Sequence, residues 1–322
     1  MSDNEQPNLI PESQLPEPVG IEGRISADTS LQAAIGAFQQ HMRGEGFSIN
    51  TIKAFVSDLR LLGRFLGIGQ PIGNIATKDL NDYLHWLLYK RGVPCSPKSF
   101  ARRVTTLKVF FGWLQDTEVL LINPSNAVIQ RTVTSPLPNV PTESERQRAL
   151  VVTTAWHEGE GISKPDARPH LLLTLLIKTG IKKGEAMNIV PNHVDRSDPE
   201  APFLFIRYKN PRMRYKERKV ELDPAWLDVL DDYLAQYQPT DTLFTCTARN
   251  LEYILRDVSD AAGLQRGLLS FENLRWASAL IDYQNDAESD TIRQRLGLSK
   301  VTWRETRKKL DRIAEQHAKQ RR

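Results

Sequence analysis

Cysteine is nearly absent from this chain: Cys95 and Cys246 are the two in 322 residues. They stand far apart, with no CxxC pair and no Cys/His cluster, so neither a disulfide framework nor a zinc site is expected, and both read as lone buried thiols. Long hydrophobic runs are missing too. No window approaches the roughly 18 consecutive apolar residues that cross a bilayer. The N-terminus is polar and carries Pro7, Pro11, Pro16 and Pro18 in place of a basic, then apolar leader, so a cytoplasmic protein is expected. Histidine is sparse. His41, His85, His157, His170, His193 and His317 are scattered and suggest no catalytic dyad, and His193 reads as a turn or surface residue.

What is present describes a globular protein. At 322 residues, 40% hydrophobic and 25% charged, the chain exceeds one ordinary core and suits two domains. Residues 1–27 mix prolines with acids and amides, a composition that buries too little apolar surface to order itself, and a disordered tail is expected there. From Leu31 the apolar spacing is helical. Ile52, Phe55, Leu59, Leu62 and Phe65 recur every three to four residues after Ser48, a residue suited to an N-cap; Leu80, Tyr83, Leu84 and Leu87 make a second stripe, and Phe100, Val104, Leu107, Phe110 or Phe111 and Leu114 a third. An all-helical domain over 28–130 follows. Pro136, Pro138 and Pro141 forbid a continuing helix and mark 131–142 as an extended linker. The second domain, 143–322, opens with helical periodicity. It then carries two short aromatic or branched runs, Phe203 to Tyr208 and Arg218 to Leu222, around a basic, proline-containing turn, which reads as a β-hairpin. Helical spacing resumes from Pro224. The expected class is mostly α: an N-terminal helical domain and a C-terminal mixed α+β domain with a small antiparallel sheet.

The formal net charge is +4, a mild pull toward polyanions whose distribution matters more than its sum. Between Arg207 and Lys219, seven basic residues (Arg207, Lys209, Arg212, Arg214, Lys216, Arg218, Lys219) face a single acid, Glu217, and the stretch from Arg304 to Arg322 is also basic on balance. Density of this kind neutralises phosphates and releases their counterions, although a charge run is also the mark of a plain solvated face.

Several short motifs then arrive in a telling order. Leu171 to Asp195 reads LLLTLLIKTGIKKGEAMNIVPNHVD: an apolar helix, a Thr-Gly turn, a basic residue, a glutamate and a strand-like exit. Lys216 to Leu222 (KERKVEL) follows, then Ala261-Ala262-Gly263-Leu264 ahead of Phe271-Glu272-Asn273-Leu274-Arg275, then Arg295-Leu296-Gly297-Leu298-Ser299. In the first domain, Ser48-Ile49-Asn50-Thr51 precedes one helix, Phe110-Phe111-Gly112-Trp113-Leu114 lies in another, and Asn123-Pro124 comes after it. Over about 30–315 the series resembles the tyrosine recombinase, or phage integrase, family. The resemblance implies a SAM-like, core-binding helical domain and a tyrosine-recombinase-type domain that clamp duplex DNA, with no cofactor and no metal. It implies as partners double-stranded DNA and either an active recombinase or further copies of this chain, with no membrane, and nucleoid association if the protein is bacterial.

In that family a tyrosine hydroxyl attacks a DNA phosphate, flanked by two arginines, a lysine and histidines or a tryptophan that stabilise charge and move protons. Here the matching positions are degenerate. Lys182 stands at the first arginine and keeps charge without the planar fork. Glu272 stands at the first histidine, where a carboxylate ~4 Å from a phosphate costs roughly 4 kcal/mol at an effective dielectric near 20. Arg275 fills the second arginine position, facing either a phosphate or Glu272. Leu298 replaces the second histidine, and Arg307 falls at the tyrosine. No tyrosine follows Tyr283, which sits on the same expected helix as Arg275 and is a poor substitute; Ser299, Thr302 and Thr306 have hydroxyls but no activating base, and Trp303 reads as core. Lys209 is the first match for the hairpin lysine and Arg214 the second. The expected DNA contacts are Lys182, Arg207, Lys209, Arg212, Arg214, Lys216, Arg218 and Arg275. The readings left open are a non-catalytic DNA-binding regulator, architectural protein or recombination accessory; a divergent active recombinase; and a protein-interaction module that no longer binds DNA.

Overall fold

A computed structural model of the chain describes residues 25–129 and 136–320. Most of the expected tail, 1–24, and the first part of the expected linker, 131–135, lie outside the described residues. The chain divides into two compact units between Pro136 and Leu137.

The first unit is helical: α1 (Leu31–Gly44), α2 (Ile49–Leu66), α3 (Thr77–Tyr89) and α4 (Pro97–Asp116). Ser48 caps α2, its hydroxyl accepting the Thr51 N–H at 3.1 Å, and the spaced Ile52, Phe55, Leu59 and Leu62 enter one core with Phe38, Tyr83 and Phe110. Pro97 opens α4, where its missing N–H leaves no helical bond unmade. A buried carboxylate then locks α2 to α4. Asp58, 3% exposed, accepts Nε and Nη2 of Arg102 at 2.8 and 2.7 Å and the Thr106 hydroxyl at 3.1 Å.

The second unit holds α5 (Glu143–Glu158), α6 (Ala167–Thr179), α7 (Lys183–Ala186), α8 (Trp226–Tyr237), α9 (Ala248–Ala261), α10 (Phe271–Gln284), α11 (Ser289–Arg295) and α12 (Lys300–Gln320). Three short strands accompany them: β1 (Val194–Asp195), β2 (Phe203–Ile206) and β3 (Arg218–Glu221). Leu171, Leu172, Leu173, Leu175 and Leu176 are all fully buried, so α6 is apolar nearly all round and becomes the central helix, packed by α5, α8 and α10. The sheet is antiparallel in the order β1-β2-β3, with Leu204 opposite Val220 and both side chains inward. Residues 207–217 join β2 to β3 through a 3-10 turn, Pro211–Lys216, so the hairpin carries its cations on a long connection.

Two local expectations are corrected. Val140 is buried with Leu280, Trp303, Leu310 and Ile313, so the end of the expected linker belongs to the packed body of the second unit. Both cysteines are free but half-buried, because each lies in the loop just ahead of a helix cap, Ser96 or Thr247. Among the described residues no helix is long and apolar enough to cross a membrane.

Candidate nucleic-acid site

The site begins at the end of α6. Gly180 takes φ 58, and a Cβ there would stand 3.0 Å from Ser278 on α10 and 3.1 Å from Leu296 at the end of α11, so only glycine lets the turn lie against both. The turn delivers Lys182 to the start of α7. Its backbone N–H donates to Glu185 Oε2 at 2.8 Å and its Nζ lies 3.7 Å from Oε1. Burial lowers the Lys182 ammonium; Glu185 opposes that, and the neighbouring charges of Arg275, Arg218 and Lys216 add to it.

Glu185 is itself buried. Arg218, at the start of β3, meets it with Nη1 at 3.1 Å and Nη2 at 2.9 Å, and the Tyr208 hydroxyl donates to it. Burial alone would raise this carboxyl; the bonds and charge of Arg218 outweigh burial and hold it at about 2. The Tyr208 phenol is pushed up to about 12 by burial and by its hydrogen bond to the Glu185 carboxylate. Arg218 Nε also donates to the Arg295 carbonyl at 2.6 Å, and Gly297 (φ 58) makes room, since a Cβ there would stand 2.8 Å from Arg218 Nη1. The expectation that Arg218 contacts DNA is therefore corrected: its side chain is 9% exposed and its fork is occupied inside the protein.

Lys182, Glu272, Arg275 and Leu298, matched one by one along the sequence, line a single open cleft of about 810 Å³. Arg275 donates from Nη1 and Nη2 to the carbonyls of Gly180 and Leu296, which ties the α6 turn to the end of α11. Burial lowers its guanidinium to about 10, with Glu185 opposing. Glu272, exposed on the first turn of α10, brings a carboxylate to the same cleft, and Leu298 joins Phe271, Trp276 and Leu296 in an apolar wall. Arg307 does not line the cleft; its neighbour Thr306 does, with its hydroxyl turned to the Thr302 carbonyl at 3.0 Å. Among the described residues no tyrosine lines it. Tyr283 donates to Asp311 at 2.7 Å, Ser299 caps the start of α12 by accepting the Thr302 N–H at 3.2 Å, and Trp303 is core.

Three further cations line the cleft that sequence reasoning misses: Lys183, Arg256 and Arg266. Lys183 pairs with Glu252 at 2.7 Å and Arg256 with Asp257 at 2.8 Å. A signal for Arg256 existed, because Arg249, Tyr253 and Arg256 follow helical spacing on α9 and both guanidiniums stack on the Tyr253 ring, at 5.5 and 4.7 Å. Around the hairpin, Lys209, Arg212 and Arg214 are exposed, Lys216 is half-buried near Lys182, and Arg207 lies 3.8 Å from Glu217. Lys219 sits over the Phe203 ring at 3.4 Å.

Comparison with known proteins agrees with this architecture. Residues 35–120 match the model of the phage integrase N-terminal SAM-like domain. The tyrosine recombinase XerD of Agrobacterium fabrum is 28% identical over 300 residues, which cover 84% of this chain and 87% of that protein. The tyrosine recombinase XerC of Staphylococcus haemolyticus is 26% identical over 223 residues, 66% of this chain and 70% of that one. Among solved structures, the XerH site-specific recombinase bound to palindromic difH substrate superposes with a TM-score of 0.67 at 16% identity, covering 93% of this chain and 97% of that one. A lambda integrase dimer bound to a COC' core site gives 0.67 at 16% identity over 87% of this chain and 78% of that one, so the fold is shared although few residues are.

Proposed function

We propose that this chain is a member of the tyrosine recombinase (phage integrase) family that binds duplex DNA without cleaving it, as a regulator, an architectural protein or an accessory to a recombination complex working in the cytoplasm at the nucleoid. The observation that carries the reading is the content of the cleft. Lys182 and Arg275 keep positive charge where a phosphate would lie, Glu272 sets a negative charge beside them, and Leu298 offers neither a hydrogen bond nor a proton. The exposed hairpin cations Arg207, Lys209, Arg212 and Arg214, with Lys216 nearer the cleft, supply backbone contacts that position the duplex. Lys209, Arg212 and Arg214 have no ion-pair partner among the described residues, which argues against a module whose basic face is neutralised in place.

A second reading, a divergent active recombinase, needs a tyrosine in this charged cluster, and among the described residues the one bonded within it is Tyr208, whose hydroxyl donates to Glu185. Its chemistry is unfavourable. A phenol held at about 12 and bonded to a carboxylate at about 2 has no base to take its proton. Nicked suicide DNA, in which cleavage cannot reverse, separates the readings. The non-catalytic reading expects no denaturation-resistant protein–DNA adduct, either from the natural chain or from Arg307→Tyr or Thr306→Tyr, since losing even one preorganised donor typically costs about 100- to 1,000-fold in rate. An adduct from the natural chain that disappears in Tyr208→Phe would replace this reading with the second.

A further inference from the structure

Among the described residues the cations of the basic C-terminal stretch do not line the cleft, and α12 shows where its charge goes. Over Lys300–Gln320 there are seven basic residues and three acids, a balance of 7 − 3 = +4. The helix is anchored by Trp303, Leu310 and Ile313, all buried against α10 and α11, and the Trp303 indole N–H donates to Ser289 Oγ at 2.9 Å. Thr306 marks its cleft side. At 100° per residue, Lys300, Arg304, Lys308 and Arg312 fall on the far side from Thr306, and all four are exposed. Successive members are four residues apart, about 6 Å along the axis, so the row extends for about 18 Å.

Such a row is unfavourable for the helix that carries it, because like charges at i,i+4 repel. Its acids do little to offset it. Glu305 lies 3.5 Å from Lys308 with both side chains more than 70% exposed, Asp311 accepts the Tyr283 hydroxyl, and Glu315 stands past the end of the row. A partner that gathers four cations in line is a polyanion. Among the described residues the face has one large exposed apolar side chain, Val301, and so lacks the buried aromatic or aliphatic centre on which a protein partner would anchor. A duplex needs no such centre, since its affinity comes from phosphate neutralisation.

We propose that Lys300, Arg304, Lys308 and Arg312 form a second DNA-binding surface, turned away from the cleft, through which one molecule holds a second duplex segment and bridges it to the first. This rests on the reading of the cleft and hairpin as a duplex site, and the test keeps the two separate. Full-length protein is mixed with bead-bound duplex and a labelled free duplex, capture of the label is measured, and single-duplex affinity is measured in parallel. The natural chain should capture the label. The variant Lys300→Gln, Arg304→Gln, Lys308→Gln, Arg312→Gln should hold one duplex within about twofold of the natural affinity and capture about tenfold less. Its melting temperature should be equal or higher, because the repulsion along α12 is gone. Lys209→Gln, Arg212→Gln, Arg214→Gln should weaken both single-duplex binding and capture. Binding of one duplex without capture by the natural chain overturns the second surface alone; so does a four-site variant that captures normally, or one that loses single-duplex affinity in step with capture. Failure of the natural chain to bind any duplex overturns this proposal and the proposed function together.

Discussion

Glu185 concentrates the residue-scale physics of the second unit. It is a buried carboxylate whose oxygens are occupied by the Arg218 fork, the Tyr208 hydroxyl and the Lys182 N–H, so its charge is compensated on all sides. Replacing it with glutamine leaves Arg218 buried without a counter-charge, and Glu185→Gln should lower stability by about 3–5 kcal/mol in urea unfolding. The pH dependence has a definite sign. The folded carboxyl sits at about 2, below its unfolded value of 4.5, so its contribution is complete above pH 4.5 and is lost as pH falls toward 2. The gap corresponds to something on the order of 3 kcal/mol. Urea midpoints from pH 6 down to pH 2.5 should therefore show the stability difference between the natural chain and Glu185→Gln narrowing with falling pH; a constant difference would mean that the carboxylate charge contributes nothing to the fold.

At the scale of elements, the hairpin divides its cations in a way its sequence does not distinguish. The β2–β3 connection exposes Lys209, Arg212 and Arg214, while β3 turns Arg218 inward to brace the α6–α7 turn. Neutralising Lys209, Arg212 and Arg214 together should flatten the slope of log affinity against log salt by about 2–3, if each meets one phosphate, because each contact contributes roughly 0.9 on duplex DNA. Affinity titrations between 50 and 200 mM salt, with the salt range set by the same relation, measure this. An unchanged slope would remove the hairpin from the interface, and a changed sequence preference would reassign it from positioning to base reading.

For the whole molecule, the two units have separate hydrophobic cores, one built on α1–α4 and one on α6 with the helices packed around it. Each should fold alone, as separate cores permit. The fragment 137–322 is expected to unfold cooperatively by circular dichroism and to keep salt-dependent duplex binding at reduced affinity, since it retains the cleft, the hairpin and α12. A fragment that folds but shows no binding would place the DNA affinity in the first unit. The cut belongs before Leu137, because Val140 packs with Trp303 and Leu310 and its removal would open that cluster.

The sequence alone determined the helices of the first unit, the hairpin, the apolar centre of α6 and the order of motifs that brings Lys182, Glu272, Arg275 and Leu298 into register with a known family. Helical and strand periodicity, caps and glycine turns are set by residues within about four positions of each other, and spacing is enough to read them. Only the tertiary structure decided which charges are free and which are consumed. Arg218 looks like its six basic neighbours until Glu185, 33 residues away, claims it; Asp58 is an ordinary helix acid until Arg102, 44 residues on, reaches it; and Arg275 finds the Gly180 carbonyl across 95 positions. Such partners meet because buried charges must be compensated where the folded chain brings them together, and a local pattern carries no record of that meeting.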